Sequence, residues 1–120
     1  MLIVEDEDIL RTAYVTIFTQ EKFKVHSAKN GKVALDELPK AKPDIIILDI
    51  LMPVMNGIEF LQAASLAKKY PNTKVLVLSN LSDSDTVKLI TELGASQHLV
   101  KSSLSPRQLV TSVRTLLNST

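Results

Sequence analysis

The chain has no cysteine among its 120 residues. Disulfides and thiolate metal sites are therefore excluded. No apolar run approaches the ~20 residues of a membrane span, and no signal peptide is visible. Neither sign of charge is in excess: 14 Lys and Arg stand against 13 Asp and Glu, a net charge of +1. That balance argues against nucleic acid as a bulk electrostatic partner. Repeats, low-complexity tracts and linkers are not apparent. The expectation is a soluble, cytoplasmic single domain over residues 1–120, with no membrane partner. The chain starts inside a strand-like run and stops at the end of a helical pattern, so a module cut from a longer protein is expected.

Most of the information lies in residues 45–57. Ile45-Ile46-Ile47-Leu48 is an aliphatic run that suits a strand buried on both faces. It delivers one carboxylate, Asp49, to its end, and Pro53 and Gly57 then punctuate the chain. The carboxyl end of such a strand is where open α/β sheets bind ligands. A charge placed there needs a partner. Met1-Leu2-Ile3-Val4 is a second such run and leads into Glu5-Asp6-Glu7-Asp8. Two further runs, 74–78 and 98–100, lead into Ser79 and Lys101. In parallel strands these ends would bring acids, a hydroxyl and an ammonium into one shallow pocket.

Five strand–helix units account for the chain. Strands are predicted at about 1–5, 23–27, 44–49, 74–79 and 97–101. The first helix, about 7–20, carries Leu10, Ala13, Tyr14, Ile17 and Phe18 at helical spacing. The second starts after Asn30-Gly31, with Val33, Ala34 and Leu38 as its stripe, and ends at Pro39. The third runs from about Gly57 to Lys69, where Tyr70-Pro71 stops it. The fourth runs from about Ser84 to Leu93, with Gly94 as a left-handed cap. The fifth starts at Ser105-Pro106 and carries Pro106, Leu109, Val110, Val113, Leu116 and Leu117 on one face. Alternation of this kind implies a parallel sheet with right-handed crossovers and helices on both faces.

The constellation resembles the receiver domain of two-component response regulators. The resemblance runs through Val4-Glu5-Asp6-Glu7, Leu48-Asp49-Ile50-Leu51-Met52-Pro53 with Asn56-Gly57, Leu78-Ser79, and Gly94-Ala95 followed by Lys101. It implies a doubly wound, flavodoxin-like (βα)5 fold with sheet order 2-1-3-4-5. It also implies that Asp49 is a phosphoacceptor, with Ser79 and Lys101 reaching the phosphoryl group. Mg²⁺, with Mn²⁺ as a substitute, would take Asp6 and Asp49 directly, Glu5 through water, and the Leu51 backbone carbonyl. The implied donor is a sensor histidine kinase or a phosphotransfer protein. Catalysis would be confined to the domain's own phosphorylation and dephosphorylation. Ser79 and His98 would act as the switch, altering the surface formed by helix four, strand five and helix five. The output is unnamed, and a homodimer through that surface is left open. No direct contact with nucleic acid is implied.

Blander readings stand beside these. Residues 5–8 alone could be an acidic helix start favoured by the helix dipole. Asp49 could be a turn residue, Ser79 a cap and Lys101 a solvated charge. His98 is balanced between a rotamer switch and a half-buried strand residue. Tyr14, Phe18 and Phe60 read as core.

The sequence also departs from the receiver pattern. Asn80 replaces the usual alanine or glycine after Ser79, and its bulk should narrow access to the phosphoryl site. Leu51 and Leu81 are apolar where variable side chains modulate attack by water, so a long-lived phosphorylated form is expected. Ser102 replaces the proline after Lys101, where a cis bond would now cost ~2.5–4 kcal/mol. Ser96-Gln97 lacks the acidic pair that one large subfamily uses in dimer salt bridges. Three other functions compete. A dehalogenase-like phosphatase needs a second aspartate where Leu51 stands. A flavin site needs a phosphate cradle where Glu5–Asp8 would repel phosphate. A degenerate receiver acting only in protein interaction would have no use for Asp6, Asp49, Ser79 and Lys101 together.

Overall fold

Alternation along the strands sets up two cores, one on each face of a central sheet. The computed structural model describes residues 1–81 and 83–118. Its elements in chain order are β1 (Leu2–Val4), α1 (Asp8–Gln20), β2 (His26–Ala28), α2 (Gly31–Ala41), β3 (Ile45–Asp49), α3 (Gly57–Ala64), α4 (Leu66–Lys69), β4 (Lys74–Ser79), α5 (Ser84–Glu92), β5 (Gln97–Val100) and α6 (Pro106–Asn118). A 3₁₀ turn over Lys101–Ser103 joins β5 to α6. All strand pairs are parallel, in the order β2-β1-β3-β4-β5. This is the flavodoxin-like architecture implied above.

Successive strand residues point to opposite faces. Leu2, Val4, Ile46, Leu48, Val75 and Val77 pack under Ala34, Leu38, Phe60, Leu61 and Ile90 of α2, α3 and α5. Ile3, Ile45, Ile47, Leu76 and Leu78 pack under Tyr14, Phe18, Leu109 and Val113 of α1 and α6. The three central strands are thus apolar between their ends, which is why they read as unbroken runs. In the predicted stripes, Ala13 and Pro106 are exposed and do not join the core.

Three elements differ from the sequence reading. The second strand is His26–Ala28, not 23–27, because Phe23 closes the preceding helix. Its N–H donates to the Phe18 carbonyl and the Lys22 N–H donates to Thr19, with Lys22 at φ 72°. This is a Schellman end, and Phe18 and Phe23 supply its apolar contact with ring centroids 5.5 Å apart. A lysine in the left-handed position gave no signal of the kind Gly94 gives. Gly94 (φ 110°) ends α5 in the same way, as its predicted cap role requires.

The predicted third helix is two helices, with Ser65 left-handed (φ 49°, ψ 50°) between them. Ala64 and Leu66 are both buried. Residues two apart on one helix point to nearly opposite sides. A continuous helix would bring Lys68, four residues after Ala64, to the core side. The break puts Leu66 there and leaves Lys68 and Lys69 in solvent.

The second helix does not end at Pro39 but continues to Ala41. Proline has no N–H to give the Leu35 carbonyl, so one bond of about 1 kcal/mol is forfeited in the last turn. Burial of Leu38, worth ~1.5–3 kcal/mol, holds the turn in place. Lys42 (φ 41°) then caps it by donating to the Leu38 carbonyl.

Gly57 fixes the start of α3 against the end of β3. A Cβ there would run into the Asp49 carbonyl oxygen and lie 2.9 Å from Ile50 Cα. Both neighbours are backbone, and the Gly57 N–H donates to the Ile50 carbonyl at 2.9 Å. Gly57→Ala is therefore expected to cost ~1–3 kcal/mol, an overpacking effect. Denaturant titration checks this, and a midpoint equal to the parent's would show that the two segments part freely.

Candidate functional site

The parallel register brings the predicted residues to one edge of the sheet. Val4 pairs with Leu48, so Glu5 follows level with Asp49. Asp49 pairs with Leu78, and Ser79 pairs with Val100, so Ser79 and Lys101 follow on the other side. Glu5, Asp49 and Ser79 are buried, and Asp6 and Lys101 are half-buried. Leu51, two residues past Asp49, is 62 % exposed in the loop to α3. In the same loop Val54 has φ 70°, an outlier for a β-branched residue, and the Met55 N–H donates to the Pro53 carbonyl across it at 2.8 Å.

Carboxylate oxygens of Glu5, Asp6 and Asp49 lie within 4.8 Å of one another. Two like charges at that separation repel by ~3–4 kcal/mol at an effective dielectric of about 20. One cation already faces them. Lys101 Nζ is 2.7 Å from Glu5 Oε1 and 3.3 Å from Asp49 Oδ2. The resemblance implied Asp49 as the lysine's partner, but Glu5 holds it more closely. Burial pushes the Glu5 carboxyl up, against hydrogen bonds from Lys101 and the Glu7 N–H. Burial also raises Asp49, against the pull of Lys101. Burial would lower the Lys101 ammonium, yet the two carboxylates outweigh it and hold the group above its usual range.

One lysine cannot balance three carboxylates. The donor set consists of hard oxygens only, without nitrogen or sulfur, which suits Mg²⁺ or Mn²⁺. The acidic run at 5–8 is therefore more than a helix start. Glu5 and Asp6 face Asp49, while Asp8 opens α1 and pairs with Arg11.

Arg11 escaped the sequence reading. Its Nη1 donates to the Glu5 carbonyl at 2.9 Å and approaches the Asp6 carbonyl at 3.5 Å. It ties the acidic turn to α1, and its spacing of three from Asp8 was the available signal. Ser79 Oγ accepts from the Leu81 N–H at 3.0 Å. Asn80, whose bulk was expected to narrow access to the phosphoryl site, is turned toward the segment after β5. It is exposed, and its Oδ1 accepts from the Ser102 N–H at 2.8 Å. The Lys101–Ser102 bond is not cis. Ser96, where an acidic residue was missed, instead joins β4, with its Oγ accepting from the Val75 N–H at 3.2 Å. His98 is half-buried in β5, and its Nε2 is buried without a hydrogen-bond partner.

The sequence profile of one family, described as the response regulator receiver domain, matches residues 1–114. The chain belongs to the response regulator receiver domains. Sporulation initiation phosphotransferase F of Bacillus subtilis is 33% identical to this receiver over 101 residues, covering 84% of this chain and 80% of that one. The transcriptional regulatory protein SrrA of Staphylococcus aureus is 32% identical over 120 residues, covering 100% of this chain. The receiver spans 48% of SrrA and 46% of the transcriptional regulatory protein LnrK of Bacillus subtilis, so several curated relatives are about twice its length. The solved structure of the chemotaxis protein CheY4 of Vibrio cholerae superposes with TM-score 0.86 at 30% identity, covering 95% of this chain and 94% of that one. Among the described residues, no helix is long and apolar enough to cross a membrane.

Proposed function

We propose that this receiver accepts a phosphoryl group on Asp49 from a sensor histidine kinase or phosphotransfer protein, in a reaction that depends on Mg²⁺. The observation that carries this is the Asp49 carboxylate itself. It is buried at the centre of the sheet edge, 3.3 Å from Lys101 Nζ and within the Glu5–Asp6 cluster. Asp49 attacks the phosphorus, and the bond from phosphorus to the donor nitrogen breaks as the acyl phosphate forms. Asp6 and Asp49 would hold the cation directly, Glu5 would reach it through water, and the Leu51 carbonyl would complete the protein's share. The bound cation supplies charge neutralisation that lets an anionic donor approach. Lys101 then pairs with the phosphoryl oxygens, and the Ser79 hydroxyl, which only accepts from the Leu81 N–H, donates its own proton to them. The domain catalyses nothing beyond its own phosphorylation and dephosphorylation, and a cytoplasmic setting fits a kinase donor.

The added charge of roughly −1.5 to −2 shifts a conformational population and does not build a new fold. His98 is the readout, since its buried Nε2 has no hydrogen-bond partner and turning the ring breaks no bond at that atom. A groove lined by His98, Val100, Leu104, Arg107 and Thr111 adjoins it, and α5, β5 and α6 form the surface offered to the output. Incubation with acetyl phosphate and Mg²⁺, followed by mass measurement, tests the reading. A chain that gains no phosphoryl mass is not a phosphoacceptor, and the interaction-module reading then takes its place.

The phosphorylated form should be long-lived. A hydrolytic water must line up opposite Asp49, and Leu51 and Leu81 offer no side-chain hydrogen bond to orient it. Because Asn80 is turned toward Ser102, the shielding rests on the two leucines. Leu51→Asn and Leu81→Glu are expected to hasten autodephosphorylation about tenfold, less than the ~10²-fold of a fully oriented group. Equal decay of parent and variants would remove the shielding argument.

A further inference from the structure

Two departures from the receiver pattern meet in space. The Ser102 N–H donates to Asn80 Oδ1 at 2.8 Å, joining the loop after β4 to the turn after β5. Proline at 102 would have no N–H, and alanine or glycine at 80 would have no side-chain acceptor. Each replacement therefore needs the other for this bond to exist. Both ends are exposed, and the bond lies outside the carboxylate cluster.

Its position decides what it can do. On one side of Lys101, Val100 is pinned by its ladder pairing with Ser79. On the other side, Ser102 is pinned by Asn80, the residue after Ser79. Ser79, Asn80, Ser102, Lys101 and Val100 thus close a small ring. Without Asn80, the Lys101–Ser103 turn keeps, among the described residues, its own closing bond from the Leu104 N–H to the Lys101 carbonyl, and that bond is long at 3.4 Å. The geometry points to Asn80 as a positioning residue. Through the Ser102 N–H it fixes the turn that carries Lys101, and so keeps Nζ over Glu5 and Asp49. The consequence for phosphorylation rests on the function proposed above. An exposed bond of this kind adds little to global stability, so its effect belongs in local opening and in rate.

The test compares the parent with Asn80→Ala, Asn80→Leu, Ser102→Ala and Ser102→Pro. Asn80→Leu keeps the bulk and loses the acceptor, and Ser102→Ala keeps the N–H. Amide exchange by NMR reads the bond directly. Exchange at Ser102 should rise about tenfold or more in both Asn80 variants, with β3 amides unchanged. The rate of labelling by acetyl phosphate with Mg²⁺ should fall about three- to tenfold in both Asn80 variants and in Ser102→Pro. Ser102→Ala should match the parent. The Asn80→Leu, Ser102→Pro double variant should be no slower than the slower single, as expected when both remove one bond. Unchanged Ser102 exchange in Asn80→Leu overturns the bridge. Faster labelling in Asn80→Ala with parent-like labelling in Asn80→Leu would instead assign Asn80 a steric role. If the parent takes no label, the phosphoacceptor reading fails, and the exchange comparison still decides the bridge.

Discussion

Asp49→Ala is expected to abolish labelling by acetyl phosphate, a loss of ~10²-fold or more. Excess chelator should do the same to the parent. The neighbouring carboxylates cannot take over. Glu5 is committed on both oxygens, Oε1 to Lys101 and Oε2 to the Glu7 N–H at 3.0 Å. Asp6 lies on the β1 side, away from the strands that carry Ser79 and Lys101. Only Asp49 ends a strand flanked by β1 and β4 together. The variant should stay folded, since removing one of three clustered carboxylates relieves repulsion. A melting midpoint not below the parent's in metal-free buffer would confirm that the lost label is chemical. Full label in Asp49→Ala, or in chelator, would place the phosphate elsewhere and sink the assignment.

Glu5, Asp49 and Ser79 were legible in sequence because buried parallel strands are legible. Ile45–Leu48 and Val75–Leu78 are covered on both faces, so nothing interrupts their apolar runs, and the first polar residue marks the strand end. Strand order is different. Periodicity says nothing about which strands neighbour one another, and the order came from the family resemblance alone. The misread elements share a cause. Lys22, Ser65 and Lys42 take left-handed conformations without being glycine, because packing of half-buried Phe23, buried Leu66 and, one turn earlier, buried Leu38 outweighs the local preference. No local pattern announces such a site. The Asn80–Ser102 bond was invisible for another reason. Each residue was noticed as a departure, but a pairing between two loops appears only when β4 and β5 are laid side by side. Arg11 was missed because its bonds to the acidic turn go to the Glu5 and Asp6 backbone carbonyls, which every sequence has.

Lys101→Met should lower stability as strongly as Gly57→Ala, for an electrostatic reason. It removes the cation that faces Glu5 at 2.7 Å and Asp49 at 3.3 Å, and leaves an apolar chain of similar length. Breaking a fully buried ion pair costs ~3–5 kcal/mol, because the remaining charge stays desolvated. Here the lysine side chain is 17% exposed and the cluster opens to solvent, so ~1–3 kcal/mol is the better figure. For a domain of this size that corresponds to roughly 4–12 °C in the melting midpoint. Lys101→Arg keeps the charge and should lose less. Mg²⁺ supplies the decisive comparison. A cation that binds only the folded state stabilises it by RT ln(1 + [L]/Kd). In the parent it must compete with the ammonium for Glu5 and Asp49, and in Lys101→Met it need not. Millimolar Mg²⁺ should therefore raise the variant's midpoint more than the parent's, and the gap between them should narrow. A gap that is the same with and without Mg²⁺ would mean that lysine and cation do not share these carboxylates. The cation would then have to be placed on Asp6, away from Lys101.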